Sequence, residues 1–278
     1  KASGLAAGKG AIIAQNLDEA IKAVEDIMVD EKFGNAGNQV VIEEFLDGVE
    51  ASILSFTDSR IIVPLLSAKD HKKIGEDETG LNTGGMGVIS PNPFVTDEIF
   101  EKFKSDIMEP TLKGMQAEGM DFAGVIFFGL MITKKGVYLL EYNMRMGDPE
   151  TQAVLPLLEN DLLELIEKSF DKKLSEVKVN WKPLHSCCVV AAAGGYPESY
   201  KKGDEITGVL DFKETEDNKV FICGAKVENG KLLTNGGRVL NAVALGNTLK
   251  EAQKKAYELL KTINFEGMYF RKDIGGRF

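Results

Sequence analysis

The stretch that most restricts what this chain can fold into is GVYLLEYNMRMGDPET, residues 136–151. Residues 137–142 are apolar and rich in β-prone types, which predicts a buried strand. Side chains alternate between the two faces of a strand. Continued to Met146, this strand puts Glu141, Asn143 and Arg145 on one face and Tyr142, Met144 and Met146 on the other. Successive residues on a face lie about 7 Å apart. Gly147-Asp148-Pro149 then breaks the strand, and a helix is expected to follow. One face therefore carries a carboxylate, an amide oxygen and a guanidinium. A carboxylate beside an amide oxygen, with no His or Cys near, suits a hard cation such as Mg²⁺. The planar fork of the arginine suits a carboxylate or a phosphate. On the strand alone, a polar strand end with a surface ion pair explains the same residues.

The rest of the chain narrows the choice. Its 278 residues allow one to three domains with an ample core. A net charge of −10 argues against a nucleic-acid partner but leaves room for phosphate ligands, which need only local positive charge. Cys187, Cys188 and Cys223 form no C-x-x-C pair and read as buried thiols of a reducing cytoplasm. No apolar run is long enough to span a bilayer. The first residue is Lys1, and residues 1–10 read as the middle of a longer natural chain.

Residues 1–10, KASGLAAGKG, form a loop of small residues with two lysines, able to close backbone amides around phosphate oxygens. A plain flexible turn is the alternative. Asn16 can cap a helix over residues 16–28, with Glu19 three residues on and Leu17, Ile21, Val24, Ile27 and Met28 as a core stripe. Residues 39–45 predict a strand, and residues 50–57 and 60–66 a hairpin. Residues 67–87 are long, polar and Gly-rich without a period, which predicts a loop able to fold over a phosphate-bearing ligand. A capped helix spans 96–119, with Pro110 kinking it or starting a second one, and residues 122–133 pair with the opening strand. Residues 150–170 are helical around Pro156, with Leu162, Leu163, Ile166 and Phe170 inward, and 172–183 is a charged linker. Strands over 186–193, 219–227, 231–234 and 238–245 and a boxed helix from Thr248 complete a mixed α+β module. Its Asn235-Gly236-Gly237 turn, beside Arg238, is expected to face solvent.

Taken together, KASGLAAGKG, VIEEFLDGVE, KDHKKIGEDETGLNTGGMG, LLEYNMRMGDPET, TNGGRV and RKDIGGR resemble the phosphoribosylamine–glycine ligase (glycinamide ribonucleotide synthetase) family of the ATP-grasp superfamily. The segments come in the family's order and cover the chain from end to end. The resemblance implies an α+β ATP-grasp fold in which two β-sheet subdomains sandwich ATP, followed by a small mixed α+β C-terminal domain. The expected domains are a lid subdomain over residues 1–66, a central subdomain over 67–175 and the C-terminal domain over 184–278.

The implied activity is ATP-dependent ligation of glycine to 5-phosphoribosylamine through glycyl phosphate, in purine biosynthesis. Lys1, Ser3, Gly4, Gly8, Lys9 and Gly10 would meet the ATP phosphates. Glu43, Glu44, Phe45 and Leu46 would form the hinge that contacts adenine, and Glu50 would meet the ribose. Glu141 and Asn143 would hold Mg²⁺ or Mn²⁺, and Arg145 would meet the glycine carboxylate with Asp148 and Glu150 nearby. Asp70, His71, Lys72 and the loop Asn82, Thr83, Gly84, Gly85, Met86, Gly87 would close over phosphoribosylamine and the transferring phosphate. Arg145, Asp70 and Asn143 would carry the chemistry. The family also has an N-terminal domain that this chain lacks, which would pack against it and complete the amine site. Unlike many ATP-grasp enzymes, the strand before the metal strand, residues 124–132, offers no carboxylate. The alternatives are another ATP-grasp carboxylate–amine ligase or carboxylase, or a nucleotide-binding fragment without catalysis.

Overall fold

The computed structural model describes residues 1–4, 6 and 10–276. Its contacts divide the chain into two compact units, residues 1–47 and the remainder from Gly48. The expected lid of residues 1–66 runs past this division, because residues 49–57 and 62–70 are central strands of the second unit.

In the first unit, helix α1 (Leu17–Met28) is capped as its sequence predicts. The Asn16 side chain accepts from the Glu19 N–H at 3.0 Å, and the Glu19 carboxylate accepts from the Gln15 N–H at 2.9 Å. The stripe expected to be core is not: Ile27 is buried, but Leu17, Ile21 and Met28 are exposed, Leu17 to 73%. Periodicity marks which face is apolar without supplying the surface that covers it. The strand expected over 39–45 is reduced to a bridge between Ala2 and Val40, flanked by exchange between Lys1 and Val41. A ladder needs a partner along its whole length, and here the partner is two residues long.

The second unit is organised by one antiparallel sheet. Its strands are β1 (Val49–Thr57), β2 (Ile62–Asp70), β5 (Gly87–Ser90), β6 (Gly124–Thr133), β7 (Gly136–Asn143), β8 (His185–Ala192), β9 (Asn218–Ile222) and β12 (Arg238–Gly246). Their order is β7-β6-β1-β2-β5-β8-β12-β9. Two short hairpins, β3 (Lys73–Gly75) with β4 (Thr79–Asn82) and β10 (Ala225–Glu228) with β11 (Lys231–Thr234), lie outside it. The β5–β8 pairing, Gly87 with Val189 through Ser90 with Ser186, joins the strands of the C-terminal module to the same sheet.

Strand alternation sorts the core. On β1, Ala51 and Ile53 face one side while Leu54 and Phe56 face the other. On β6, Ile126, Phe128 and Leu130 oppose Phe127 in the same way. The first set packs on α2 (Asp97–Phe103) and α3 (Glu109–Ala117), joined by a π-helical turn over Lys104–Met108 with Pro110 entering α3. There Phe103 and Phe128 meet edge to face, with ring centroids 5.1 Å apart. The second set packs on α4 (Glu150–Val154) and α5 (Leu162–Phe170). Helix α6 (Leu249–Leu260), with the Thr248–Glu251 box formed, covers β8 and β12.

Four further expectations change. The loop predicted over 67–87 is the end of β2, the β3–β4 hairpin and β5. Strand 219–227 is split into β9 and β10. The inward face of α5 is rotated: Leu165 and Ser169 are buried, while Leu163 and Phe170 are exposed. Cys187 and Cys188 are buried thiols, but Cys223 is exposed. Among the described residues, no helix is long and apolar enough to cross a membrane.

Candidate functional site

The β6–β7 hairpin forms where the sequence placed it, with Phe127 opposite Asn143 and Gly129 opposite Glu141. Strand β7 is not the buried strand expected. It is the sheet's edge, and Tyr142 is 46% exposed. The strand ends at Asn143 and does not run on to Met146, so Arg145 follows it in a bend, yet the three singled-out side chains are linked. The Asn143 amide donates to Glu141 Oε1 at 3.1 Å, and Arg145 Nη2 donates to Asn143 Oδ1 at 3.3 Å. Arg145 Nη1 is also tethered to the Met146 carbonyl at 3.0 Å. A side chain at position 129 would press on Glu141, since a Cβ there would lie 3.1 Å from its Cγ.

The Asn143 face of the strand is the α4 face of the sheet, because Asn143 shares it with Phe127. The end of β2 supplies the same face. Asp70 and Lys72 turn towards a cavity of about 110 Å³ lined also by Thr83, Gly84, Phe127, Glu141, Asn143, Arg145, Asp148 and Glu150. The Gly147–Glu150 turn closes it, and Glu150, the first residue of α4, is 5% exposed. Ser52 on β1 donates to Glu150 Oε1 at 3.4 Å.

Charge in this cavity is unevenly compensated. Burial alone would pull the Lys72 ammonium down, but Glu50, 2.5 Å away, outweighs it and the net direction is up. Burial pushes the Asp70 carboxyl well above the usual carboxylate range, and the neighbouring charge of Glu150 pushes it further. Burial raises Glu150 too, against Lys72 and Arg145, which favour its ionised form.

Not every residue that the sequence grouped here converges. Alternation along β2 sends Lys69 and His71 to the opposite side, where they line a second cavity of about 170 Å³ with Asp77, Glu78, Arg271 and Asp273. His71 Nδ1 lies 3.1 Å from the Gly87 carbonyl, and burial pulls its pKa down to about 4. In the glycine-rich loop, Thr83 and Gly84 border the first cavity. Asn82 is exposed at the end of β4 and pairs with Lys73. Met86 is fully buried, and a Cβ on Gly87 would lie 2.7 Å from the Cys188 carbonyl and from Ile274, so these two serve packing. Gly85 adopts φ +115°, and a Cβ there would meet Asp70 Oδ1 at 2.7 Å. Only glycine lets the backbone approach this carboxylate so closely.

In the first unit, Lys1 Nζ pairs with Glu43 Oε2 at 2.9 Å, so two of the expected nucleotide residues are neighbours. Ser3 and Gly4 bond to the Gln39 and Ala36 carbonyls, and Gly10 accepts from Ala2. Glu44 and Phe45 are exposed and Leu46 is half-buried. Gly8 and Lys9 lie outside the described residues.

Two residues that the sequence did not assign to the site brace the Gly84 and Asp148 turns that line it. Arg238, at the start of β12, donates from Nη1 to the Gly84 and Asp148 carbonyls, both at 2.7 Å, and from Nη2 to Asp148 Oδ2 at 3.0 Å. The Tyr196 hydroxyl accepts from the Gly84 N–H at 2.9 Å. The turn expected to face solvent therefore carries the arginine that ties the Gly84 and Asp148 turns together. The sequence signals were an Arg after a glycine turn and its place in the TNGGRV run.

Comparison with known proteins gives consistent matches. Family models described as phosphoribosylglycinamide synthetase, ATP-grasp (A) domain and C domain match residues 1–151 and 186–277. A phosphoribosylamine–glycine ligase of Fusobacterium nucleatum is 58% identical over 99% of this chain and 65% of its own length. One of Clostridium acetobutylicum is 55% identical with the same coverage. The chain thus spans about 65% of the length of these curated relatives. The crystal structure of a Thermotoga maritima phosphoribosylamine–glycine ligase superposes with a TM-score of 0.89 at 35% identity, over 99% of this chain and 68% of that one. The biotin carboxylase domain of a Hydrogenobacter thermophilus 2-oxoglutarate carboxylase, in complex with MgADP, ADP and bicarbonate, matches with a TM-score of 0.71 at 13% identity. It covers 97% of this chain and 57% of that one, a likeness of fold alone.

Proposed function

Because the chain belongs to the phosphoribosylglycinamide synthetase family and has the ATP-grasp fold, we propose that its parent protein joins glycine to 5-phosphoribosylamine at the expense of ATP. The observation that carries this reading is the convergence of Glu141, Asn143 and Arg145 with Asp70, Lys72 and Glu150 around one cavity. In this reading ATP and glycine give glycyl phosphate and ADP. The amine then attacks the acyl carbon and phosphate leaves, giving glycinamide ribonucleotide. Such chemistry needs positioning and charge neutralisation and no protein nucleophile, which suits a cavity lined by carboxylates, amides and cations.

Arg145 binds the glycine carboxylate through its planar fork, held in place by Asn143 and the Met146 carbonyl. Lys72 neutralises the transferring phosphate, and the Thr83–Gly84 turn presents backbone beside it. Asp148 and Glu150 shape the floor. In the first unit, Lys1, Ser3, Gly4, Gly8, Lys9 and Gly10 meet the ATP phosphates and residues 43–46 the adenine. Glu50 meets the ribose. In the same reading residues 1–66 serve as lid, 67–175 as centre and 184–278 as C-terminal domain, although the compact units divide at Gly48.

The donor set fits a hard divalent cation. Glu141 and the Asn143 amide oxygen are two oxygen donors on one exposed face, and Mg²⁺ usually takes one or two protein oxygens with phosphates and water completing its shell. Among the described residues no group of three or more His, Cys, Asp or Glu is placed to hold a metal. Glu141 and Asn143 would hold Mg²⁺ or Mn²⁺, which would neutralise phosphate charge. In this reading the protein works in the cytoplasm on small-molecule substrates and needs no nucleic-acid or membrane partner. The N-terminal domain of longer relatives is the expected packing partner.

The test is product formation by the parent protein with Mg²⁺, ATP, glycine and freshly generated phosphoribosylamine, leaving out each in turn. Glycinamide ribonucleotide that requires all four supports the reading. ADP release that is independent of glycine, or that accepts only another acid such as bicarbonate, overturns it.

A further inference from the structure

The cavity contains a carboxylate, Asp70, that the sequence reading put among the residues of the chemistry but to which the scheme above gives no step. Asp70 lies at the end of β2, and its Oδ1 is shielded from solvent yet has no hydrogen-bond partner. The cations near it are engaged elsewhere. Lys72 is paired with Glu50, and the Arg238 guanidinium is taken up by Gly84 and Asp148. Gly85 approaches so closely that any side chain there would strike the carboxylate. A second buried carboxylate, Glu150, lines the same cavity and accepts a long bond from Ser52 and one from its own backbone N–H. Leaving a buried acceptor unpaired is costly, and such groups in a native fold call for an explanation.

The charged groups facing Asp70 are Glu150 from α4, Lys72 and Glu50 from the strand ends and Arg238 from β12. Lys72 and Arg145 face Glu150. Two acids share this floor, and both are shifted up, Asp70 first by burial and then by Glu150. A carboxylate in such a setting is a stronger base than one in water, and two adjacent acids hold a single proton between them more easily than two charges.

Resting on the ligase reading above, we propose that Asp70 is the catalytic base of the second half-reaction, accepting the proton shed by the attacking amine, with Glu150 positioned to share it. The amine nitrogen's lone pair forms the C–N bond to the acyl carbon of glycyl phosphate. The C–O bond to phosphate breaks, and its electron pair leaves with the phosphate. The proton lost from nitrogen passes to an Asp70 carboxylate oxygen and returns to solvent when the product departs. Asp70 thus acts on amide formation and not on the earlier transfer of phosphate to glycine, where no proton moves.

That separation supplies the test. Hydroxylamine is a small, strong nucleophile that traps glycyl phosphate as glycine hydroxamate, and the proton it sheds passes to water instead of to a side chain. In the parent protein, Asp70→Asn is expected to lower glycinamide ribonucleotide formation about a hundredfold or more. Hydroxamate formation should fall at least about tenfold less than ribonucleotide formation does. Glu150→Gln keeps the fold probe independent: it should move the acidic limb of the amide-forming pH profile downward and leave the hydroxamate profile in place. Equal loss of both products in Asp70→Asn with an unmoved profile in Glu150→Gln would overturn the proposal, as would full ribonucleotide formation by Asp70→Asn. Failure of the unsubstituted protein to make any glycine hydroxamate would instead overturn the ligase reading itself.

Discussion

Truncating Arg238 should cost activity far more than stability. Its guanidinium, with the side chain 21% exposed, makes two bonds at 2.7 Å to the Gly84 and Asp148 carbonyls and one at 3.0 Å to the Asp148 carboxylate. Bonds involving a charged partner contribute about 1.5–3 kcal/mol each in protected settings. Partial exposure lets water replace some of that, so roughly 3 kcal/mol for the three together is a fair sum. The bonds hold two turns that border the cavity and lie outside the apolar core. If that energy keeps the turns in register for substrate, Arg238→Ala loses on the order of a hundredfold in kcat/KM, since about 1.4 kcal/mol is tenfold. Arg238→Lys keeps the charge but not the fork, and should recover only part of the loss. The assay is steady-state ligation by the parent protein alongside thermal unfolding. An Arg238→Ala protein with unchanged kcat/KM would refute the clamp. So would a loss matched by global unfolding.

Other consequences are equally open to measurement. Asn143→Leu removes an oxygen donor from an edge strand and should cut ADP formation at least about a hundredfold while the far-ultraviolet spectrum stays unchanged; retained turnover would remove Asn143 from the metal assignment. His71 is held neutral, its pKa lowered from 6.5 to about 4 by burial. The folded protein therefore binds fewer protons there than the unfolded chain between these values, and stability falls as pH drops through that window, by on the order of 3 kcal/mol. Urea unfolding from pH 7 to pH 4 should show this slope, and His71→Gln should flatten it; parallel slopes would contradict it. Arg271, 1% exposed, is bonded to Glu78 at 2.8 Å, to Asp273 at 2.8 and 2.7 Å and to the Lys73 carbonyl at 3.0 Å. Arg271→Met leaves those acids without their cation and should cost about 3–5 kcal/mol, lowering Tm by roughly 10 °C, and an unchanged Tm would show the cluster to be dispensable.

What was legible in the sequence follows the range of the forces involved. The caps at Asn16, Thr96 and Thr248 formed as expected because each is a bond between residues three apart. The β6–β7 hairpin was legible because a short turn fixes its register. Its site face was legible from period-two alternation, which also separates His71 from Asp70 and Lys72 once β2 is known to reach Asp70. The reading of 67–87 as loop missed that extension, since its polar residues carry no alternation and are held by distant partners. Arg271 bonds to the Lys73 carbonyl and Glu78 across more than 190 residues. Arg238 was illegible for the same reason, because its partners Gly84 and Asp148 lie 154 and 90 residues away in sequence. The α1 stripe shows the opposite limit: its period was right, and Leu17, Ile21 and Met28 on it are exposed among the described residues.

The central claim is that the Glu141–Asn143–Arg145 face activates the carboxylate of glycine by phosphorylation. The most direct measurement uses glycine labelled with ¹⁸O in its carboxylate, with the parent protein, Mg²⁺, ATP and phosphoribosylamine, followed by mass analysis of the phosphate released. An acyl phosphate route leaves one carboxylate oxygen on phosphorus, so one ¹⁸O should appear in each phosphate formed. Unlabelled phosphate alongside net amide formation would mean that the carboxylate is not phosphorylated, and the account of this site would be wrong.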